Sequence, residues 1–303
     1  MNRIATPEGT KAILNKYPFM FQKKFGQNFL IDPRVLDKII NAAEITKEDC
    51  VIEIGPGIGS VTQALLENAG RVISIEIDDQ LIPILTEQYG HNEHFRLIHQ
   101  DVLKVDLKKL IEEESPNRKI KVVANLPYYI TTPIIMMLLE HNLPIESITV
   151  MVQKEVADRM ASKPGSKQYG AITVAMNYYC STGLVANVPQ NCFMPRPNVD
   201  SAVIKLTLHS EPVVDVEDAN QMLRIIKAAF SQRRKTLLNT LASNGNLGID
   251  KESIKNVLEE SGVGPSTRGE TLSLENYAML SNFIDNYRKN LIDKQKLEIY
   301  NRF

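Results

Sequence analysis

The sequence predicts a doubly wound α/β domain followed by a small all-helical domain. Between residues 50 and 153, short apolar segments alternate with segments of helical periodicity, which is typical of a parallel sheet with helices on both faces. A glycine-rich turn at 53–59 follows the first strand of this alternation. After about residue 209 only helical periodicity remains, and this change predicts the second domain.

The elements of the first domain can be predicted in order along the chain. Asp32 and Pro33 predict the start of the first helix, because Asp caps helices and Pro suits the first helical position. Strands and helices then alternate, and two late strands flank a proline-rich loop. The predicted strands are 50–54, 71–77, 95–101, 120–126, 147–153, 183–189 and 201–208, and the predicted helices among them are 60–69, 81–89, 132–141 and 168–179.

These patterns divide the 303 residues into three parts. Residues 32–208 form the predicted α/β domain and residues 209–303 the helical domain. Residues 1–31 form a basic arm, whose one acid, Glu8, is outnumbered by five basic residues: Arg3, Lys11, Lys16, Lys23 and Lys24.

The composition restricts the classes of function. A formal net charge of -1 excludes bulk electrostatic attraction to nucleic acid, so any nucleic-acid contact must come from local patches. No apolar run approaches the ~20 residues that span a membrane. The three cysteines, Cys50, Cys180 and Cys192, lack the spacing of a metal site. We therefore expect a cytoplasmic protein with reduced thiols and no bound metal.

The glycine-rich turn E-I-G-P-G-I-G indicates a site where a ligand approaches the backbone closely, although a turn without a ligand is the alternative. Its three glycines are Gly55, Gly57 and Gly59. The spacing does not fit the dinucleotide pattern G-x-G-x-x-G, and it is similar to motif I of the class I methyltransferases. Glu76, 21 positions after Gly55, ends the next strand, where a carboxylate can accept hydrogen bonds from ribose hydroxyls. Asp101 ends the third strand and is predicted either to bind an adenine amine or to cap the following turn.

The segment Asn125-Leu126-Pro127-Tyr128, at the end of the fourth strand, is the most specific signal in the chain. The Asn side-chain oxygen and the Leu carbonyl can accept the two hydrogens of an exocyclic amine, which directs its nitrogen at a methyl donor. Pro127 stiffens the loop and Tyr128 offers a face on which a base can stack. Phe193, in the proline-rich loop, is predicted to cover the other face of the base or, alternatively, to fill the core. For the tetrapeptide itself, an ordinary turn is the alternative.

Four motifs in this order resemble the ribosomal RNA adenine N6-dimethyltransferases. They are Gln27-Asn28-Phe29-Leu30, the E-x-G-x-G-x-G turn, Asn125-Leu126-Pro127-Tyr128 and F-x-P-x-P-x-V-x-S-A-V at 193–203. The segments F-S-Q-R-R-K-T-L at 230–237 and T-R-G-E-T-L at 267–272, together with Leu126, are similar to the small-subunit branch of this family (the KsgA type) rather than to the large-subunit resistance branch.

This resemblance implies a Rossmann-like class I methyltransferase domain that binds S-adenosylmethionine. It implies that Asn28 and Leu30 contact the cofactor, and that the turn of Gly55 and Gly57 holds its methionine part. It further implies contacts from Glu76 to the ribose, from Asp101 to the adenine, and from Asn125 to both cofactor and target amine. The implied substrate is a pair of adjacent adenosines in the 3′-terminal hairpin loop of 16S rRNA, each receiving two methyl groups, and the implied role is in small-subunit biogenesis.

The helical domain is predicted to contact the RNA. No acidic residue lies between Asp218 and Asp250, and the spacing of three of the basic residues there predicts one shared helical face. The candidate RNA-binding residues are Arg224, Lys227, Arg233, Arg234 and Lys235. A solvated helix face is the alternative, and the basic arm is either a further contact or a disordered tail.

Three rival functions remain open at this point: a non-catalytic ribosome-assembly factor, a large-subunit rRNA methyltransferase and a DNA adenine methyltransferase. The last usually carries Asp where this chain has Asn125. The intact Gly55, Glu76, Asp101 and Asn125 favour a working enzyme. We expect a monomer whose partner is 16S rRNA, within the small ribosomal subunit or its precursor.

Overall fold

The computed structural model describes residues 3–17, 19–22, 26–116, 118–244 and 246–300, with side chains up to residue 293. The chain forms two compact units. The first contains Met1–Asp158 and Cys180–Leu208, and the second contains Arg159–Tyr179 and His209–Phe303. Each unit is described separately below.

A seven-stranded sheet is the centre of the first unit. Its strand order is β4-β3-β2-β5-β6-β9-β7, and a separate two-stranded sheet pairs β1 with β8. The five strands from β4 to β6 run parallel, and β9 pairs antiparallel with both β6 and β7. The strands are β1 Phe29–Leu30, β2 Asp49–Ile54, β3 Arg71–Glu76, β4 Phe95–His99, β5 Lys119–Asn125, β6 Ile145–Gln153, β7 Cys180–Val188, β8 Phe193–Met194 and β9 Ser201–Leu208.

Helices cover this sheet. All six residues of β2 are buried, as expected for a central strand of a sheet covered on both faces. The start of α2 follows the predicted chemistry, because the Asp32 side chain accepts a hydrogen bond from Arg34 N and Pro33 occupies the first helical turn. The helices are α1 Pro7–Lys16, α2 Pro33–Ala43, α3 Ser60–Asn68, α4 Leu81–Tyr89, α5 Leu107–Glu114, α6 Thr131–Glu140 and α7 Lys154–Met160.

The second unit consists of helices around its own apolar core. Met222, Leu241 and Tyr277 are among its fully buried residues. The helices are α8 Ala171–Tyr179, α9 Ala219–Ala229, α10 Leu237–Asn244, α11 Lys251–Glu260 and α12 Leu274–Tyr300. In the part of the chain that the structure describes, no helix combines the length and apolarity needed to cross a bilayer.

The division between the units differs from the predicted one at residues 159–179. This segment was predicted within the α/β domain, but it belongs to the second unit. Val174 of α8 and Tyr169 are buried in the helical core, and the Tyr169 hydroxyl donates to Leu272 O at 2.9 Å. The periodicity of α8 predicts a helix correctly but does not say which core that helix joins.

Candidate active site

A cavity lies at the carboxyl ends of the parallel strands, where α/β sheets bind their ligands. It encloses about 1090 Å³, including its open mouth. Its walls come from the ends of β2 to β5 and from the segment that contains β1. The lining residues include Asn28, Leu30, Glu53, Gly55, Gly57, Ser60, Glu76, Ile77, Asp101, Asn125, Leu126, Pro127, Tyr128 and Tyr129. The cavity thus brings together every predicted cofactor-binding residue and the whole reaction loop.

The glycine turn allows a ligand to approach the backbone. Gly55 has φ +69°, and a Cβ built there would meet only Asn125 O, at 3.9 Å, so this position is open toward the cavity. Gly57 has φ +59°, and a Cβ there would lie 3.1 Å from the ring of Phe29. Larger residues at these positions would strain the turn, and at Gly57 they would also crowd β1.

Glu76 connects the end of β3 to this turn. Its carboxylate accepts hydrogen bonds from the backbone N–H groups of Gly57 at 3.2 Å, Ile77 at 2.8 Å and Asp78 at 2.9 Å. The side chain is buried, and this burial raises its pKa to about 7 despite the three donors. The predicted ribose-binding carboxylate therefore lies on the cavity wall and also holds the glycine turn in place.

Glu53 is a functional candidate to which the sequence analysis assigned no role. Its Oε2 accepts from Thr62 Oγ1 at 2.7 Å and from Ser74 Oγ at 2.6 Å, whereas Oε1 is buried without a hydrogen-bond partner among the described residues. The Ser60 hydroxyl, on the same cavity wall, is likewise buried and unpartnered within the described chain. Burial raises the Glu53 pKa to about 7. The signal in the sequence was a lone glutamate inside the apolar strand V-I-E-I.

These two unpartnered atoms fit the amino-acid end of S-adenosylmethionine. Buried polar atoms without partners are costly, so a cavity retains them where a ligand completes their hydrogen bonds. The carboxylate of Glu53 suits an ammonium group, and the Ser60 hydroxyl can donate to a carboxylate. Among the described residues, no cluster of side chains could hold a metal ion.

The remaining predicted cofactor contacts lie on the same walls. Asp101 both lines the cavity and caps a short 3₁₀ turn, because its Oδ1 accepts from Leu103 N at 3.1 Å. Leu30 is buried in β1. Asn28 donates from Nδ2 to Gly26 O at 2.9 Å, and its own carbonyl accepts from the Asn125 side chain.

The reaction loop is held by hydrogen bonds at each end. Asn125 Nδ2 donates to Asn28 O at 3.1 Å, which leaves Oδ1 available as an acceptor. The Tyr128 hydroxyl lies 2.8 Å from Ser201 Oγ of β9, and burial raises the pKa of this tyrosine. Pro127 O accepts from Ile130 N at 3.2 Å and from Thr131 Oγ1 at 3.1 Å, which ties the loop to the start of α6. The side chains of Asn125 and Tyr128 are thereby oriented before any ligand binds.

Phe193 does not join this group. It lies in β8 opposite Leu30 of β1, is only 4 % exposed, and packs in the core of the first unit. It is not among the residues that line the cavity. Phe193 thus fills the core, which was the alternative prediction, and its role over the target base stays a prediction.

The predicted RNA-binding residues lie in the second unit but not on one helical face. Arg224 and Lys227 are exposed on α9, which ends at Ala229. Arg234 lies beyond that end, in the turn before α10, so its predicted alignment with the α9 residues is wrong. The Ser231 hydroxyl and backbone N–H both donate to Ala228 O and close the helix there.

Arg233 has partners within its own unit. Its Nε contacts Glu270 Oε2 at 3.2 Å, and its Nη2 donates to Lys167 O at 2.7 Å. Arg234 and Lys235 are exposed in the same turn. Arg233 therefore fastens the 163–170 loop, whereas its two neighbours keep their charges at the surface.

The basic arm is partly folded. Within it, α1 packs on the first unit, Arg3 pairs with Asp37 at 3.5 Å, and Lys16 pairs with Glu87. Lys11 is exposed on α1, and Lys23 and Lys24 lie outside the described residues.

Known proteins match the chain over nearly its full length. A model of the family described as ribosomal RNA adenine dimethylase matches residues 19–280. A relative from Lachnoclostridium phytofermentans, named ribosomal RNA small subunit methyltransferase A, is 55 % identical over 290 residues, which are 95 % of this chain and 100 % of the relative.

Solved structures agree with this match. A dimethyladenosine transferase from Plasmodium falciparum has a TM-score of 0.73 at 27 % identity, over 86 % of this chain and 98 % of that one. The 23S rRNA methyltransferase ErmE has a TM-score of 0.65 at 25 % identity, over 85 % of this chain and 100 % of that one. These matches confirm the predicted fold class and family. The chain belongs to the ribosomal RNA adenine dimethylase family, whose methyl donor is S-adenosylmethionine.

Proposed function

We propose that this protein transfers methyl groups from S-adenosylmethionine to the N6 atoms of two adjacent adenosines in the 3′-terminal hairpin loop of 16S rRNA. The observation that carries the proposal is the oriented Asn125 side chain on the wall of a cavity whose other polar groups fit the cofactor. The matched family and the small-subunit names of its members support the substrate.

The reaction loop supplies the acceptors that the target amine needs. The N6 lone pair is delocalised into the adenine ring, so the nitrogen must be rehybridised and directed before it can attack. In our proposal Asn125 Oδ1 and the Leu126 carbonyl accept its two hydrogens, and Tyr128 stacks on the base. The cofactor supplies an electrophilic methyl group with a good leaving group. One N–C bond forms as one S–C bond breaks, and a proton then leaves N6 to water. Positioning and electrostatics thus provide most of the catalysis.

The cavity walls hold the cofactor in the same scheme. Glu53 faces the ammonium group, Glu76 the ribose, and Asp101 the adenine, while the turn of Gly55 and Gly57 lies against the methionine part. Ionised Glu53 also balances the positive charge that the cofactor brings into a buried site.

The exposed cations of the second unit would meet RNA phosphates in this proposal. Arg224 and Lys227 act from α9, and Arg234 and Lys235 act from the turn that follows it. Lys and Arg contacts to phosphates give affinity without reading the base sequence. Arg233 contributes by holding the neighbouring loop. We also infer that the protein is cytoplasmic and that it is a monomer, and light scattering can test the second inference.

The decisive experiment measures methyl transfer from radiolabelled S-adenosylmethionine to small subunits that lack dimethyladenosine. Wild-type protein should place label in N6,N6-dimethyladenosine near the 3′ end of 16S rRNA. Asn125→Ala should lose at least about 100-fold in kcat, because preorganised acceptors of this kind contribute that much. Asn187→Ala, an exposed residue of β7, is the matched control and should behave as wild type.

The other outcomes separate the rival functions. Tight binding of subunits without transfer would indicate an assembly factor that has no catalytic activity. Label in large-subunit rRNA would move the protein to the branch that contains ErmE, and label in duplex DNA would make it a DNA methyltransferase.

A further inference from the structure

A second tyrosine, Tyr129, lies next to Tyr128 at the mouth of the cavity. Tyr129 is 61 % exposed, and it lines the same cavity as Asn125 and Tyr128. Among the described residues its hydroxyl makes no hydrogen bond, whereas Tyr128 is anchored on Ser201. A large ring that is open to solvent at the entrance of a binding site is a candidate contact for the substrate.

The backbone around Tyr129 is fixed. Tyr128 and Tyr129 are the two central residues of a turn closed by the bond from Ile130 N to Pro127 O at 3.2 Å. Gly26 lies beside the turn, because a Cβ built on it would lie 3.8 Å from Pro127 Cβ and 4.0 Å from Tyr129 Cδ1. The ring therefore stands on a preorganised loop, and binding an RNA base on it requires little ordering of the protein.

We propose that Tyr129 is a stacking platform for the nucleotide next to the target adenosine. The proposal rests on the proposed function. When the target base leaves the RNA stack to enter the cavity, its neighbour loses a stacking partner. An exposed ring one residue beyond Tyr128 offers a replacement face at the cavity mouth. Every base has such a face, so this contact positions the RNA strand without selecting the neighbouring base.

The test compares Tyr129→Leu, which keeps an apolar side chain but removes the aromatic face, with Tyr129→Phe, which keeps the face. With small subunits lacking dimethyladenosine as substrate, Tyr129→Leu should raise KM about tenfold and change kcat less than about threefold. KM should change more than kcat because the neighbouring base is stacked on the ring in both the bound ground state and the transition state. Tyr129→Phe should match wild type. Leu184→Ala, on an exposed residue of β7, is the control for loss of surface apolar area.

Two further measurements make the test independent of catalysis. Binding of S-adenosylmethionine, followed by calorimetry, should change less than about twofold in Tyr129→Leu. A hairpin RNA with 2-aminopurine beside the target adenosine should lose fluorescence on binding wild type or Tyr129→Phe, but not on binding Tyr129→Leu, because stacking quenches the probe.

Three results would overturn the proposal. An unchanged KM in Tyr129→Leu would mean that the ring does not touch the RNA. A matching loss of cofactor affinity would make Tyr129 part of the cofactor site. A fall in kcat alone would mean that the substitution disturbs the Tyr128 loop. If wild type labels no small subunits, the proposed function fails, while the fluorescence measurement still decides the role of Tyr129.

Discussion

Replacing Glu53 by Gln should stabilise the protein without cofactor while weakening its binding of cofactor. The residue is 1 % exposed, and one of its carboxyl oxygens has no hydrogen-bond partner in the described chain. Desolvation by burial raises its pKa from 4.5 to about 7. The folded protein therefore holds this proton more tightly than the unfolded chain does, and the wild type loses stability as the pH rises from about 4.5 to about 7.

The expected size of the effect follows from the two pKa values. Each pKa unit corresponds to about 1.4 kcal/mol, so the raised pKa of Glu53 lowers the unfolding free energy by about 3 kcal/mol at pH 8, where the folded protein ionises it, and by about 1 kcal/mol at pH 5, where only the unfolded chain does. A glutamine has no charge to bury. Its amide oxygen can replace Oε2 as the acceptor for Thr62 and Ser74, and any geometric cost is the same at both pH values. The advantage of Glu53→Gln should therefore grow by about 2 kcal/mol from pH 5 to pH 8.

Urea unfolding of cofactor-free protein, followed by circular dichroism at these two pH values and equal ionic strength, measures this difference. Glu112→Gln, on the exposed face of α5, is the control and should show no such growth. Calorimetry should show that Glu53→Gln binds S-adenosylmethionine at least about tenfold more weakly at pH 8, since a buried charge pair is broken. A stability difference that is equal at both pH values would refute the reasoning about ionisation. An unchanged cofactor affinity would refute the placement of the ammonium group at Glu53.

Two further predictions concern charge. Glu53 and Glu76 both have pKa values of about 7, and a bound cationic cofactor should favour their ionised forms. Cofactor binding should therefore release protons near neutral pH, and the affinity for the cofactor should increase as the pH rises from 6 to 8. Calorimetry in buffers of different ionisation enthalpy measures that release, and proton uptake would contradict the prediction. Arg234→Ala should reduce the salt dependence of RNA binding by about one phosphate contact and leave the protein stable. Arg233→Ala should lower the unfolding free energy, because it removes the contacts of Arg233 with Glu270 and with the Lys167 carbonyl of the 163–170 loop. Salt titrations of RNA binding, alongside thermal melts, distinguish these two effects, and equal behaviour of the two variants would contradict this assignment.

Much of the first unit could be predicted from local patterns. All seven strands of the main sheet coincide with strands predicted from the sequence, and the central ones, such as β2, are apolar because a strand buried on both faces has few polar residues. The cofactor-site residues Gly55, Glu76, Asp101 and Asn125 lie at or just beyond strand ends, and parallel topology brings such ends to one edge. The positions of these residues along the chain are therefore sufficient to predict the site, because the sheet topology determines which strand ends are neighbours.

The features that the sequence could not predict concern contacts between residues that are distant in the sequence. Phe193 joins the core because β8 pairs with β1, more than 160 positions earlier, and no local pattern indicates that pairing. The end of α9 at Ala229 carries neither Gly nor Pro, so the sequence showed no break before Arg234. The assignment of α8 to the second unit depends on which core buries Val174. The sequence did not indicate Tyr129 or Glu53. Tyr129 matters because its ring is exposed, and Glu53 matters because one of its buried oxygens lacks a hydrogen-bond partner. Only the three-dimensional structure shows these two features.

The pairing of β1 with β8 has a consequence for how the protein is made. The segment carrying Asn28 and Leu30 is synthesised early, but the strand that pairs with it ends at Met194. Between them the chain contributes residues 159–179 to the other unit and then returns to add β7, and β9 follows after β8. A nascent chain that stops at residue 158 lacks two strands of the sheet as well as the partner of β1. We therefore expect cofactor binding to begin late in translation, once the chain up to residue 208 has left the ribosome. The nascent protein would then bind the methyl donor only when its first unit is complete.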